Sequence, residues 1–371
     1  MRIGVVVHGP NIIDSGYALK LIELLGEYGE VSARLGGTMG RTAVIDASLE
    51  DVIDISRKLV PSDSIKIFYD DGVDVIFLLN YGKSDVTGQV FGYKVYSHFT
   101  DKISDNNVPV IQIERPGECD GSIIAWNCDL DIVNELSERL GLAVVTPEEV
   151  YDNHIRQDDA GVNQRIVHGV SPGENIMVNS VVIGRTDSDK LILIAKDNHI
   201  VDIVGGKLKE HGLEKLGEVD LETAIIKTGL LRNAKVKPRV LDKQKPEEFK
   251  VAFLDHAGED VYRFRDSSVV ITIGDDTTLI SSDILYRFDI PVVGITDGDL
   301  DKVVADGFKV KDSVIFEVES GFDDVCGQYI KRIIFDGKQV TYDFSNISEL
   351  EEKIIEIIKN INCKYKINYI K

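Results

Sequence analysis

Residues 266–302 read DSSVVITIGDDTTLISSDILYRFDIPVVGITDGDLDK. An apolar run, Val269–Ile273, stops at Gly274 and is followed at once by Asp275, Asp276, Thr277 and Thr278. Leu279–Phe288 has a helical pattern. A second apolar run, Pro291–Ile295, then ends in Asp297, Asp299 and Asp301. Short Val- and Ile-rich runs separated by a helix read as a parallel βαβ unit. Both acidic clusters then leave the carboxyl ends of their strands, where open α/β sheets bind ligands.

The same alternation recurs at the other end of the chain. Ile3–Val7 runs into His8-Gly9-Pro10-Asn11, and Tyr17–Tyr28 carries a helical stripe at Leu21, Ile22, Leu24 and Leu25. Val31–Leu35, Val73–Leu79 and Val108–Ile113 are further strand candidates, and Leu130–Leu140 is a helix closed by Gly141. The fold class that follows is α/β: two Rossmann-like parallel-sheet domains with a small β-rich middle domain. The expected boundaries are 1–150 for the first α/β domain, 151–165 for a linker and 166–234 for the β-rich part. A second linker covers 235–247, the acidic α/β domain 248–345, and a C-terminal helix and tail 346–371. Within the middle part Ile176–Ile183, Leu191–Lys196 and His199–Val204 read as strands and Asp220–Gly229 as a helix. Ser348 and Glu351 fit a capping box, and the last eight residues, KYKINYIK, read as a frayed basic end.

Composition narrows the function classes. The 371 residues are 43% hydrophobic and 28% charged, a globular balance, and exceed one ordinary core. No apolar run approaches a membrane span, and Met1 leads straight into a strand without a secretory leader, so a soluble, cytoplasmic protein is expected. Sixty-three acidic against 42 basic residues give a net charge of −21, which repels nucleic acid over most of the surface. Cys119, Cys128, Cys326 and Cys363 form no C-x-x-C pair and are read as reduced thiols. The expected partner is a small-molecule ligand, with no nucleic acid, no membrane and a homo-oligomer left open.

Two loops of the first domain are candidate contacts. In Asn80–Gly88 the triplet Gly82-Lys83-Ser84 looks like the end of a P-loop, but the glycine that motif needs would fall on Phe77, so it is not a Walker A loop. It can still present N–H groups and a cation to an anion, or simply be a βα turn with Ser84 as N-cap. Gly36–Arg41 offers Gly37 for close backbone approach and Arg41 for a carboxylate or phosphate. His8 points to the same rim if the sheet is doubly wound. In the last domain Asp275, Asp276, Asp297 and Asp299 have the hard-oxygen chemistry that suits Mg²⁺ or Mn²⁺, and Thr277 and Thr278 stand where a phosphate could meet a helix start. Asp, Gly and Thr at strand ends also serve turns and caps.

Five segments carry a resemblance: MRIGVVVHGPNIIDSGYALKLIELL, GGTMGRTAVIDA, NYGKSDVTGQVFG, HGLEKLGEVDLETAIIKTG and IGDDTTLISSDILYRFDIPVVGITDGDLD. Together they resemble an uncharacterised archaeal family, a domain of unknown function found mainly in methanogens. The resemblance implies an archaeal, cytoplasmic protein and lends no residue roles. Three function classes stay open. The first is an enzyme acting on a phosphorylated or nucleotide-like molecule with a divalent metal, with Lys83 and Arg41 as anion contacts if the two domains face each other. The second is a non-catalytic small-molecule-binding or regulatory protein using the same loops. The third is an assembly or scaffold factor for a methanogen enzyme system.

Overall fold

The computed structural model describes all residues except 106, 153–163, 168–169, 180, 222–223, 225, 230–231, 233–235, 243–245, 257–260, 299–307 and 371. The chain divides into two compact units, 1–174 with 184–224 and 234–237, and 175–183 with 225–233 and 238–371.

The first unit begins with β1 (Arg2–His8), α1 (Asn11–Asp14), α2 (Tyr17–Leu25), β2 (Glu30–Gly36) and α3 (Arg41–Asp46). It continues with β3 (Ile53–Asp54), α4 (Pro61–Asp70), β4 (Val75–Asn80), α5 (Asp85–Thr100) and β5 (Val110–Glu114). β6 (Ser122–Ala125), α6 (Asp131–Leu140), β7 (Ala143–Val145) and α7 (Pro147–Val150) complete this part. The strands form one sheet in the order β3-β2-β1-β4-β5-β6-β7, parallel except where β6 runs against β5. β1 pairs on one side with β2 and on the other with β4, so the winding direction reverses between β1 and β4.

Sequence explains why both faces are covered. β4 (VIFLLN) and β5 (VIQIE) are buried at every position, as unbroken apolar runs in parallel sheets should be. Val5, Val7, Phe77, Leu79, Ile111 and Ile113 point to one face, against Leu21 and Leu25 of α2 and Leu136 of α6. The alternate residues Val6, Ile76, Leu78 and Val110 point to the other, against Ile65 and Phe68 of α4 and Val95 and Phe99 of α5. Each fully buried side chain of this size contributes roughly 1.5–3 kcal/mol.

The middle elements are β8 (Gln164–Val167), β9 (Asn175–Val178), β10 (Val181–Thr186), β11 (Leu191–Lys196), β12 (His199–Val204), β13 (Gly206–Leu208), α8 (Glu210–Leu216) and β14 (Ile226–Thr228). In the first unit β11 pairs antiparallel with β12 and β8. In the second, β9 pairs antiparallel with β14. Two expectations are corrected here. Ile176–Ile183 is two strands, broken where Asn179 adopts φ 46°. The helix expected over Asp220–Gly229 is replaced, among the described residues, by β14, because Ile226–Thr228 finds a partner in Ile176–Val178. The first expected linker, 151–165, falls largely outside the described residues, although Gln164 already opens β8, and in the second, 235–247, residues 236–242 and 246–247 form no helix or strand.

The second unit continues with β15 (Val251–Leu254), a 3₁₀ turn (Val261–Phe264), β16 (Val269–Ile273), α9 (Asp275–Tyr286), β17 (Val292–Thr296) and β18 (Val314–Val318). α10 (Asp323–Phe335), β19 (Val340–Thr341), α11 (Ile347–Asn360) and β20 (Tyr365–Tyr369) follow. The order is β19-β15-β16-β17-β18-β20, with β15 to β18 parallel and both edge strands antiparallel. The βαβ unit read from residues 266–302 is therefore present, with Ile273 beside Ile295. α10 and α11 cover one face through Ile330, Ile334, Leu350 and Ile354, and α9 with the 3₁₀ turn covers the other through Leu285 and Phe264. The frayed tail is a correction: KYKINYIK holds β20, paired with β18 from Val314–Tyr369 to Val318–Tyr365. The cap of α11 is Asn346, which accepts from the Glu349 N–H at 3.0 Å, rather than Ser348. Among the described residues no helix is long and apolar enough to cross a membrane.

Candidate functional site

Three neighbouring strands of the first unit end in polar residues: β1 in His8, β4 in Asn80 and β5 in Glu114. Register brings them side by side. Val7 pairs with Leu79, so His8 and Asn80 continue the two strands together, and Asn80 pairs with Glu114. Side chains alternate across a strand, so Gln112 and Glu114 share one face with Leu78 and Asn80, the face covered by α5. A buried polar row therefore stands at the point where the winding reverses, the place where open α/β sheets form a ligand crevice.

The row is hydrogen-bonded end to end. Glu114 is fully buried and accepts from Asn80 Nδ2 (2.7 Å), Gln112 Nε2 (2.8 Å) and the Gly82 N–H (2.7 Å). Because Asn80 turns its NH₂ to the carboxylate, its Oδ1 is left to accept, and it lies 2.7 Å from His8 Nδ1. The proton of that bond belongs to His8, which makes Nε2 the basic nitrogen of the neutral ring. The His8 ring stacks on Phe91 of α5 with centroids 4.0 Å apart. A Cβ on Gly37, which sits at φ 95°, would stand 3.5 Å from His8 Cδ2. The β2–α3 loop thus borders the imidazole.

Electrostatics at Glu114 pull in two directions. Burial pushes its carboxyl above the ordinary range, and the donors from Gly82, Asn80 and Gln112 draw it back without reversing the shift. Around the rim, Arg115 bonds the Gly82 carbonyl (2.6 Å) and pairs with Asp120 (2.9 Å). The Tyr81 hydroxyl donates to Glu118, and burial together with that carboxylate pushes its phenol up to about 12.

The residues singled out from sequence fall into two groups. In the first unit His8 and Gly37 lie side by side at the strand ends where the winding reverses. Arg41 opens α3 and is only 2% exposed, so it is held inside the fold. Gly82 commits its N–H to Glu114. Lys83 pairs with Glu174 at 2.5 Å, and Ser84 caps α5 in a reciprocal box with Thr87. Ser84 thereby takes the turn-and-cap role of the two read from the sequence.

In the second unit Asp275, Asp276, Thr277 and Thr278 form the first turn of α9. Thr278 is fully buried and shares a hydrogen bond with Thr272 (2.8 Å), which ties α9 to β16. Asp297 accepts from the Gly321 N–H at 2.8 Å. Asp299 lies outside the described residues. Among the described residues, no three His, Cys, Asp or Glu side chains gather as a metal-holding group. Sequence reading placed Asn80 in a candidate loop without a role of its own and passed over Gln112 and Glu114. Their signal was polarity at buried positions of apolar strands, since an acid is almost never fully buried without partners.

Comparison with known proteins adds kinship. A family model described as an uncharacterised protein conserved in archaea (DUF2117) matches residues 5–338. An uncharacterised protein of Methanocaldococcus jannaschii is 46% identical over 375 residues, covering 99% of both chains. No solved structure matches the chain.

Proposed function

The chain belongs to this archaeal family of uncharacterised proteins, and we propose that it is an enzyme whose proton-transfer residue is His8. In this reading a small phosphorylated or nucleotide-like molecule enters the crevice where β1 and β4 part. His8 Nε2 takes a proton from it or returns one. Asn80 and Glu114 are positioning residues that hold the imidazole in the Nδ1–H form, the logic by which a third group orients a catalytic base. The observation that carries the reading is the unbroken chain His8–Asn80–Glu114, with both links at 2.7 Å. Buried polar networks are destabilising where donors or acceptors lack partners, and here the three donors on Glu114 are all satisfied, which holds Asn80 in the orientation that fixes the His8 ring. Lys83 and Arg115 stand near the same strand ends, each already paired with a carboxylate, so an anionic ligand would have to draw them from Glu174 and Asp120.

The first test needs no substrate. Nitrogen-15 NMR of the imidazoles should find His8 as the Nδ1–H tautomer, which Asn80→Ala releases. An Nε2–H tautomer in the wild type sinks the reading. The second test incubates the protein with a panel of phosphorylated compounds and nucleotides and follows them by ³¹P NMR. His8→Gln should slow conversion by about 10²–10⁴-fold. Tight binding with no conversion by the wild type would instead support the non-catalytic binding protein.

A divalent ion at the C-terminal aspartates is a separate proposal. It rests on Asp275 and Asp297 leaving adjacent parallel strands, β16 and β17. If Mg²⁺ or Mn²⁺ binds there, a hundredfold excess over Kd stabilises the fold by about 2.7 kcal/mol. Chelator-treated protein should then melt several degrees below Mn²⁺-treated protein, and Asp297→Asn should close most of that gap. Equal melting in both conditions removes the ion from the scheme.

A further inference from the structure

α10 is apolar on two faces. Cys326, Ile330 and Ile334 are buried against the sheet, yet Val325, Tyr329 and Ile333 are 37%, 36% and 46% exposed. Those three recur at four-residue intervals, so they form one stripe along the outer face of the helix. Tyr342, just beyond β19, is 53% exposed. A surface helix normally carries one apolar stripe, and a second signals a partner.

The charges along α10 identify that partner. Asp323 and Asp324 stand in its first turn and Arg332 in its last, with Lys331 one residue before it. Arg332 lies over the Tyr329 ring at 4.7 Å. A second α10 laid antiparallel about a two-fold axis at Tyr329 would set Val325 against the partner's Ile333. The same operation brings Asp324 to within two residues' rise, about 3 Å along the axis, of the partner's Arg332 and opposes the two helix dipoles. One patch that complements itself in this way is the requirement for an isologous dimer. Over the rest of the surface the net charge of −21 disfavours self-association, so the attraction must come from this face.

We infer that the chain forms a two-fold homodimer through the outer face of α10. Thirteen residues give a helix about 20 Å long, short of the roughly 800 Å² per partner in a standard stable interface, so the dimer is weak and concentration-dependent. The inference is independent of any role for His8.

Sedimentation velocity of the full chain, from low to high micromolar concentration, tests it. The wild type should move from monomer to dimer across that range. Ile333→Glu should stay monomeric throughout, with an unchanged melting temperature because the side chain is exposed. Arg332→Glu should weaken association at least tenfold, and Arg332→Glu combined with Asp324→Arg should restore it by reversing the pair. A wild type that is monomeric at every concentration overturns the inference. So does a dimer that both Ile333→Glu and Arg332→Glu leave intact.

Discussion

Gly88→Ala and Gly92→Ala are each expected to destabilise the protein by about 3 kcal/mol, although both exchanges favour an isolated helix by about 1 kcal/mol. The residues that α5 turns to the sheet are Gly88, Gly92, Val95 and Phe99, small at its start and large at its end. The helix therefore approaches closest where the sheet is polar. A Cβ at Gly88 would stand 2.0 Å from Glu114 Cδ, and one at Gly92 only 1.6 Å from Gln112 Oε1. Neither side chain can step aside, since both are fully buried and Gln112 bridges Glu114 (2.8 Å) to the Gly88 carbonyl (2.9 Å). The helix must retreat, and hydrogen bonds and packing along α5 are lost together. Urea unfolding measures the loss directly. A gain in stability of the size that helix propensity predicts would mean that the close approach of α5 to β5 is wrong. The same displacement loosens Asn80, so the Nδ1–H tautomer of His8 should be lost with it.

The parts of this architecture that sequence reveals are those written in local periodicity. Val269–Ile273 and Pro291–Ile295 announce strands because their apolar runs end at Gly and Asp. The doubly wound first sheet follows from the same alternation. Long-range pairings are less visible. β20 was legible after the fact, because Tyr365, Ile367 and Tyr369 alternate with polar residues, but lysines at 364 and 366 gave the segment the look of a tail. Lysine on an edge strand is one way to prevent further pairing, so its presence there has a physical reason. Of the strand-end residues singled out, Ser84 was weighed as an N-cap, the role it holds. What no local pattern could give is which buried acid meets which amide. Glu114 and Asn80 are 34 positions apart, and only the parallel register between β4 and β5 brings them together.

Glu114 itself gives the largest expected loss. Glu114→Ala strands the Gly82 N–H, Asn80 Nδ2 and Gln112 Nε2 without their acceptor. At about 1–3 kcal/mol for each orphaned donor, a total of about 4 kcal/mol or more is expected in denaturant unfolding. Glu114→Gln keeps the shape and isolates the charge. Its amide can present only one oxygen, so at least one donor meets an NH₂ and stability falls by about 1–3 kcal/mol at neutral pH.

The pH dependence of that gap has a definite sign. Burial raises the folded-state value of Glu114, so the folded chain holds the proton more tightly than the unfolded chain. The resulting stabilisation is complete below the ordinary glutamate value of 4.5 and fades as pH climbs through the raised folded value. Glutamine has no such titration, so the wild type should lead Glu114→Gln by more in acid and by less as pH rises. General acid unfolding acts on both proteins and cancels in the difference. A gap that is constant with pH, or that widens as pH rises, would show that Glu114 is not titrating inside the fold as a destabilised carboxylate. The imidazole should report the same event. While Glu114 is ionised, Asn80 must donate to it and accept from His8. Once Glu114 carries a proton that constraint is lifted, and the fixed Nδ1–H tautomer should give way over the same pH interval.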